Sequence, residues 1–184
     1  GVNDAPTASN NTITTNEDTN HVFSTSEFNF SDDDTSGSLN KIKITSLEDN
    51  GALQYYNGSD WVDVTLNQEI YAADIANNKL RFKPDTNENG SSYTTFGFQV
   101  SDGTAYSSSQ TMTVNVTAVN DAPTAANNTV TTNEDTDHTF TASEFNFSDV
   151  DGDSLDHVSI ETLPSNGTLL LGGAAVTLGQ NIPA

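Results

Sequence analysis

Side chains that carry oxygen recur in this sequence in five short groups, each beside a segment patterned as a strand or a turn. They are Asn3-Asp4, copied as Asn120-Asp121; Glu17-Asp18, copied as Glu134-Asp135; and Asp32-Asp33-Asp34, answered by Asp149, Asp151 and Asp153. The remaining two are the stretch from Asp85 to Glu88 and the single Asp102. Carboxylates and amide carbonyls are the ligands of a hard divalent cation, and Ca2+ takes roughly six to eight such oxygens. Three histidines and no cysteine leave zinc and copper without their preferred donors. Clustered carboxylates repel one another even at high effective dielectric, so such groups are costly without a cation between them.

Two sequential calcium motifs do not fit. Asp149, Asp151 and Asp153 occupy the first, third and fifth places of an EF-hand loop, but Ser154 stands where glycine is needed and Ile160 where the bidentate glutamate belongs. No glycine-rich nonapeptide of the β-helix type recurs. The acids must therefore converge in space, from loops at the ends of a folded domain. Catalytic constellations are missing as well. No serine stands in Gly-x-Ser-x-Gly, and no glycine loop suits a phosphate. His21 and His138 are repeat equivalents suited to packing, and His157 has no nucleophile beside it. The chain reads as a protein that is not an enzyme.

Strands are the elements that must hold these groups. Thr, Ser, Val and scattered aromatics suit half-buried strands, while Asn, Asp and Gly suit the turns between them. Twenty-six acidic residues against five basic ones give a formal charge of −21. That balance excludes nucleic acid and anionic membrane surfaces, which need Lys and Arg to displace counterions. No run approaches the ~20 apolar residues that span a bilayer, so direct membrane insertion is not expected, and no signal-peptide pattern opens the chain. Without cysteine there can be no disulfide, and bound metal is the other common staple of a modest core.

An internal repeat organises the chain. Val2 to Asp34 returns at Val119 to Asp151 with about 26 of 33 positions identical, an offset of 117 residues. A period of that length makes each repeat a whole domain rather than a solenoid unit. The first repeat is read as complete over 1–118, and the second, over 119–184, as C-terminally incomplete. Weaker likeness continues from Ser46–Leu53 to Thr162–Leu169 and from Thr65–Ala72 to Thr177–Ala184.

Strands are expected near 12–15, 21–24, 41–46, 52–56, 61–65, 79–83, 94–101 and 109–116, with one helical turn near 71–75. Ile42/Ile44, Leu80/Phe82, Phe96/Phe98/Val100 and Met112/Val114/Val116 alternate and should face inward. Seven or eight strands in such a span predict an all-β, immunoglobulin-like Greek-key sandwich.

Val-Asn-Asp-Ala-Pro-Thr, at residues 2–7 and 119–124, resembles the linker between cadherin domains, and the surrounding pattern resembles the cadherin-like tandem repeats of giant bacterial adhesins. The resemblance covers the whole chain and implies repeats strung in a rod with calcium at each junction. By that resemblance Glu17 is the base glutamate, and Asp85 with Glu88 forms the acidic motif of the same base. Asn120 and Asp121 supply the linker, and Asp149 and Asp151, with Asp153 beside them, the top of the next domain. Asp102, with Asp32 and Asp34, would serve the junction above together with Asn3 and Asp4. The motif 84–90 is a loose version of its cadherin counterpart, the linker is shorter than the animal form, and the second repeat has no counterpart of Asp102.

The implied function is a calcium-binding extender module of a bacterial surface adhesin, extracellular and associated with cell adhesion and biofilm, whose first partners are neighbouring repeats of the same chain. The alternative is a carbohydrate-binding module of a secreted polysaccharide-active protein. Tyr55, Tyr56, Trp61 and Tyr71 cluster in sequence and could stack on sugar rings, which would make a polysaccharide or cell-surface ligand the partner. The structural account of the same residues places Trp61 and Tyr55 in the core beside Val62 and Val64. Homophilic adhesion is a third option for which the sequence names no residue. A half-repeat would leave strand edges unpaired.

Overall fold

Alternating apolar residues become strands wherever the sequence shows them. In the computed structural model, which describes residues 3–34 and 37–184, the strands of the first repeat are β1 (Asn11–Asn16), β2 (His21–Val22), β3 (Lys41–Ser46), β4 (Ala52–Tyr56), β5 (Trp61–Asp63), β6 (Glu69–Tyr71), β7 (Leu80–Lys83), β8 (Gly90–Ser101) and β9 (Gln110–Thr117). A single helical turn, α1 (Ala72–Ala76), joins β6 to β7. Val2, the first residue of the linker motif, lies outside the described residues. Contacts divide the chain into two units, Gly1–Val119 and Asn120–Ala184.

The first unit is a sandwich of two sheets, ordered β1-β9-β8-β3-β6 and β2-β7-β4-β5. β1 runs parallel to β9, and every other pairing in the unit is antiparallel. Ile42, Ile44, Phe96, Phe98, Val100, Met112 and Val114 of the larger sheet face Leu53, Leu80 and Phe82 of the smaller one, all fully buried. Phe23 sits edge-on to Phe96 at 5.7 Å and Phe28 edge-on to Phe98 at 5.2 Å, which closes one side of the core. Each such burial contributes about 1.5–3 kcal/mol.

Two expectations need correction. β6 was not among the predicted strands, because its three residues offer only Ile70 to the core. Trp61 is not a core residue. It pairs directly with Tyr56, while Tyr55, the neighbour on the opposite face of β4, packs against the core and donates its hydroxyl to Asp74 at 2.8 Å. Alternation along β5 sends Trp61 outward because Val64, three residues on, is the one that is buried.

The second unit repeats part of this plan. Its strands are β10 (His157–Ser159), β11 (Leu170–Leu171), β12 (Ala174–Ala175) and β13 (Asn181–Pro183). β10 pairs with β13 as β3 pairs with β6, and β11 with β12 as β4 with β5. The isolated bridge Thr124–Ser148 repeats Thr7–Ser31, and the 3-10 turn Ala142–Phe145 repeats Thr25–Phe28, each turn ending in a left-handed asparagine, Asn146 or Asn29.

No strand among the described residues of this unit matches β1, β2, β7, β8 or β9. Phe140 is consequently 45% exposed where Phe23 is 1% exposed, and Val130 is 37% exposed where Ile13 is 4% exposed. A groove of about 480 Å³ opens between Phe145, Phe147, Leu155 and Val158.

Candidate metal sites

The linker residues and the loop after each 3-10 turn meet in the same way in both units. In the first, the Asn3 side-chain amide donates to the Asp4 carbonyl at 2.8 Å, Asp4 N–H to Asp34 Oδ2 at 2.9 Å, and Asp34 N–H to Asp32 Oδ1 at 2.8 Å. In the second, Asn120 donates to the Asp121 carbonyl at 2.8 Å, Asp121 N–H to Asp151 Oδ2 at 2.7 Å, and Asp151 N–H to Asp149 Oδ1 at 2.9 Å. Asp153 N–H adds a longer bond to Asp149 Oδ1 at 3.4 Å. Thr7–Ser31 and Thr124–Ser148 pin linker to loop just behind these carboxylates.

In the first unit Asp102 joins the group, since the Asn3 amide also donates to Asp102 Oδ2 at 2.9 Å. Its other oxygen accepts Thr104 N–H at 2.7 Å and Ala105 N–H at 2.8 Å. The N–H of Ala105, that of Thr104 and the Asn3 amide together hold the Asp102 carboxyl below its ordinary pKa.

Among the described residues, no three acidic or histidine side chains already enclose a point where an ion would sit. The donor set nevertheless fits calcium. Among the described residues Asp32 Oδ2 is buried with no hydrogen-bond partner, and such an atom is an acceptor for a donor or a cation. Gly37 lies against that carboxylate so closely that a Cβ there would fall 2.6 Å from Oδ2. Glu48 Oε2 is similarly buried and unpartnered among the described residues, while its Oε1 accepts Leu53 N–H at 2.7 Å.

At the other end of the first unit, Glu17 follows β1 and is only 3% exposed. Its N–H donates to the Thr117 carbonyl at 2.9 Å, Oε1 accepts Val119 N–H, and Oε2 accepts the Asn89 amide at 3.2 Å. Asp85 and Glu88 are brought to Tyr93 instead, whose hydroxyl donates to Glu88 at 2.8 Å and to Asp85 at 3.2 Å. Asp85 also caps Gly51 N–H at 2.9 Å. Burial, and then the bond to Glu88, raises the Tyr93 pKa above its ordinary value.

The residues of the 84–90 loop nearest Glu17-Asp18 are therefore Asn89 and Asn87, the latter donating its N–H to Asp18 Oδ1 at 3.2 Å. Asn89 carries no charge, so a search for carboxylates passes over it. The histidines have local roles: His21 and His138 each bond a glutamate, Glu27 at 2.8 Å and Glu144 at 2.9 Å, and stand edge-on to Phe23 and Phe140.

A family model described as cadherin-like matches residues 6–116, and one described as a bacterial Ig domain matches residues 120–181. No curated protein and no solved structure matches the chain. No helix among the described residues is long and apolar enough to cross a membrane.

Proposed function

This chain belongs to the cadherin-like family, and from that premise we propose that it is a calcium-binding extender module of a bacterial surface adhesin. Cadherin-like and bacterial Ig domains point to a repeat module of a surface protein, of a kind that is typically structural rather than catalytic. One observation above all supports calcium. The same hydrogen-bonded run of linker asparagine, linker aspartate and Asp-x-Asp pair is built twice, at Asn3-Asp4-Asp32-Asp34 and at Asn120-Asp121-Asp149-Asp151. A solvated turn has no need to bring two or three carboxylates to one linker, since their repulsion opposes folding.

Calcium would be held at the second unit's linker by Asn120, Asp121, Asp149 and Asp151, with Asp153 beside them, and Glu17 would lend its carboxylate at the base of the first unit. Asn3, Asp4, Asp32, Asp34 and Asp102 would form the equivalent set at the other end of the first unit. The bound ion supplies charge neutralisation and a cross-link through oxygen ligands. Asp34 and Asp151 orient the linker by accepting its backbone N–H, and the Asn3 amide carries that order on to Asp102. Extracellular calcium modules commonly bind at ~10⁻⁴–10⁻³ M, so the reading requires an extracellular setting. A rod of such repeats, stiff with calcium and slack without it, would hold an adhesive domain away from the cell.

Isothermal titration separates this reading from a simple acidic surface. Wild type should take up calcium in preference to magnesium, and Asp149→Asn with Asp151→Asn should lose the sites of the second linker. Equal, weak heats for both ions would contradict it.

A further inference from the structure

The outer face of the sheet β2-β7-β4-β5 carries a second constellation, remote in character from the acidic loops. Tyr56 and Trp61 oppose each other at the end of the β4–β5 hairpin with ring centroids 5.5 Å apart. The Arg81 guanidinium lies over the Trp61 ring at 4.0 Å. Its Nε and Nη2 both donate to Gln54 Oε1, at 3.0 and 2.8 Å, and the Gln54 amide donates onward to Asp63 at 3.0 Å. Arg81 is thus clamped by an aromatic ring and a neutral amide.

The charge around it makes this arrangement informative. The sequence holds 26 acidic residues, yet among the described residues Arg81 forms no ion pair. Lys83, two residues along on the same face, is exposed and forms none either. A stacked, amide-braced guanidinium keeps its charge and its remaining donors for an incoming carboxylate, which it can grip with two parallel hydrogen bonds.

The second unit is an internal control. Its β11–β12 hairpin repeats the register of β4–β5, but Gly172-Gly173, both at positive φ, closes it in place of residues 56–61. The hairpin therefore forms without the aromatic pair, and Tyr56 and Trp61 are an addition to it rather than what closes it.

We propose that this face of the first unit binds a carboxylated polysaccharide. A sugar carboxylate pairs with Arg81, a pyranose ring lies against Trp61 and Tyr56, and hydroxyls meet Gln54 and Asp63. Charge complementarity selects an acidic glycan, and the aromatic pair flanked by amide and carboxylate acceptors selects a ring bearing hydroxyls. The negative charge of the rest of the molecule opposes a polyanion at long range, but screening over about 8 Å at physiological salt confines that opposition. A single site of this kind is accordingly weak. The proposal is independent of the calcium reading.

Affinity electrophoresis in gels containing hyaluronate tests it, run in EGTA so that metal bridging cannot mimic binding. Wild type should be retarded by hyaluronate but not by the same polymer with its carboxylates reduced to alcohols, a comparison that needs no variant. Arg81→Gln should weaken binding about tenfold or more, as expected for losing a charge-assisted hydrogen-bond pair. Arg81→Lys, which keeps the charge without the fork, should fall between. Absence of retardation, equal retardation by the reduced polymer, or indifference to Arg81→Gln would overturn the proposal. So would a concentration-dependent dimer in sedimentation that Arg81→Gln abolishes, since the face would then belong to a second copy.

Discussion

Gly37 decides how Asp32 can stand. A Cβ at that position would come within 2.3 Å of the Asp32 Cγ, nearer than any real contact, so the carboxylate would have to swing away. Gly37→Ala should therefore weaken calcium uptake at the upper end of the first unit severalfold, although Gly37 supplies no ligand. Titration of wild type and variant with calcium checks this, and unchanged affinity would remove Asp32 from the site. Tyr93 carries a second prediction, of alkaline sensitivity. Its folded pKa is raised, chiefly by burial and then by Glu88, above the ordinary tyrosine value of about 10. The stability it contributes is full below about pH 10 and is lost as pH rises through the folded value. Urea midpoints should fall between about pH 10 and pH 11.5, and Tyr93→Phe should flatten that decline. A profile identical in the variant would assign the alkaline loss to other groups such as Tyr55 and Lys79, whose values are also raised.

Segments that repeat in both units do not carry equal weight. Phe23 is buried between Phe28 and Phe96, whereas its counterpart Phe140 is 45% exposed beside Phe145. Phe23→Ala should cost about 3–5 kcal/mol, the usual range for emptying a packed aromatic site, and Phe140→Ala well under 1 kcal/mol. Equilibrium denaturation of the two variants decides it, and equal losses would mean that the second unit has a core of its own. Most of the first sandwich was legible in sequence because its strands alternate: the pairs and triples on β3, β7, β8 and β9 all point inward. β6 was not, since one isoleucine between polar neighbours carries no periodicity. Trp61 stands on the outer face although the sequence reading places it in the core, because Val64, of the opposite phase, is the residue of this segment that is buried. Of the candidate metal-binding groups, the linker and the Asp-x-Asp pairs stand out in sequence through their repetition. The turning of Asp85 and Glu88 toward Tyr93, and the approach of Asn89 to Glu17, depend on how a loop with left-handed Asn87 folds back, which spacing does not encode.

For the whole molecule, calcium is proposed as the structural partner of a strongly acidic repeat protein. A chain carrying −21 and no disulfide has little else to offset repulsion at its carboxylate-lined ends. Stabilisation by a ligand grows logarithmically, about 2.7 kcal/mol at a hundredfold excess over the dissociation constant, which is a large share of a marginal domain's stability. The most direct measurement is thermal unfolding in millimolar calcium against EGTA, with magnesium as the control. The account predicts a midpoint raised by several degrees in calcium alone, with the increment reduced in Asp121→Ala. A midpoint indifferent to calcium, or raised equally by magnesium, would contradict it and leave these acids as solvated loops.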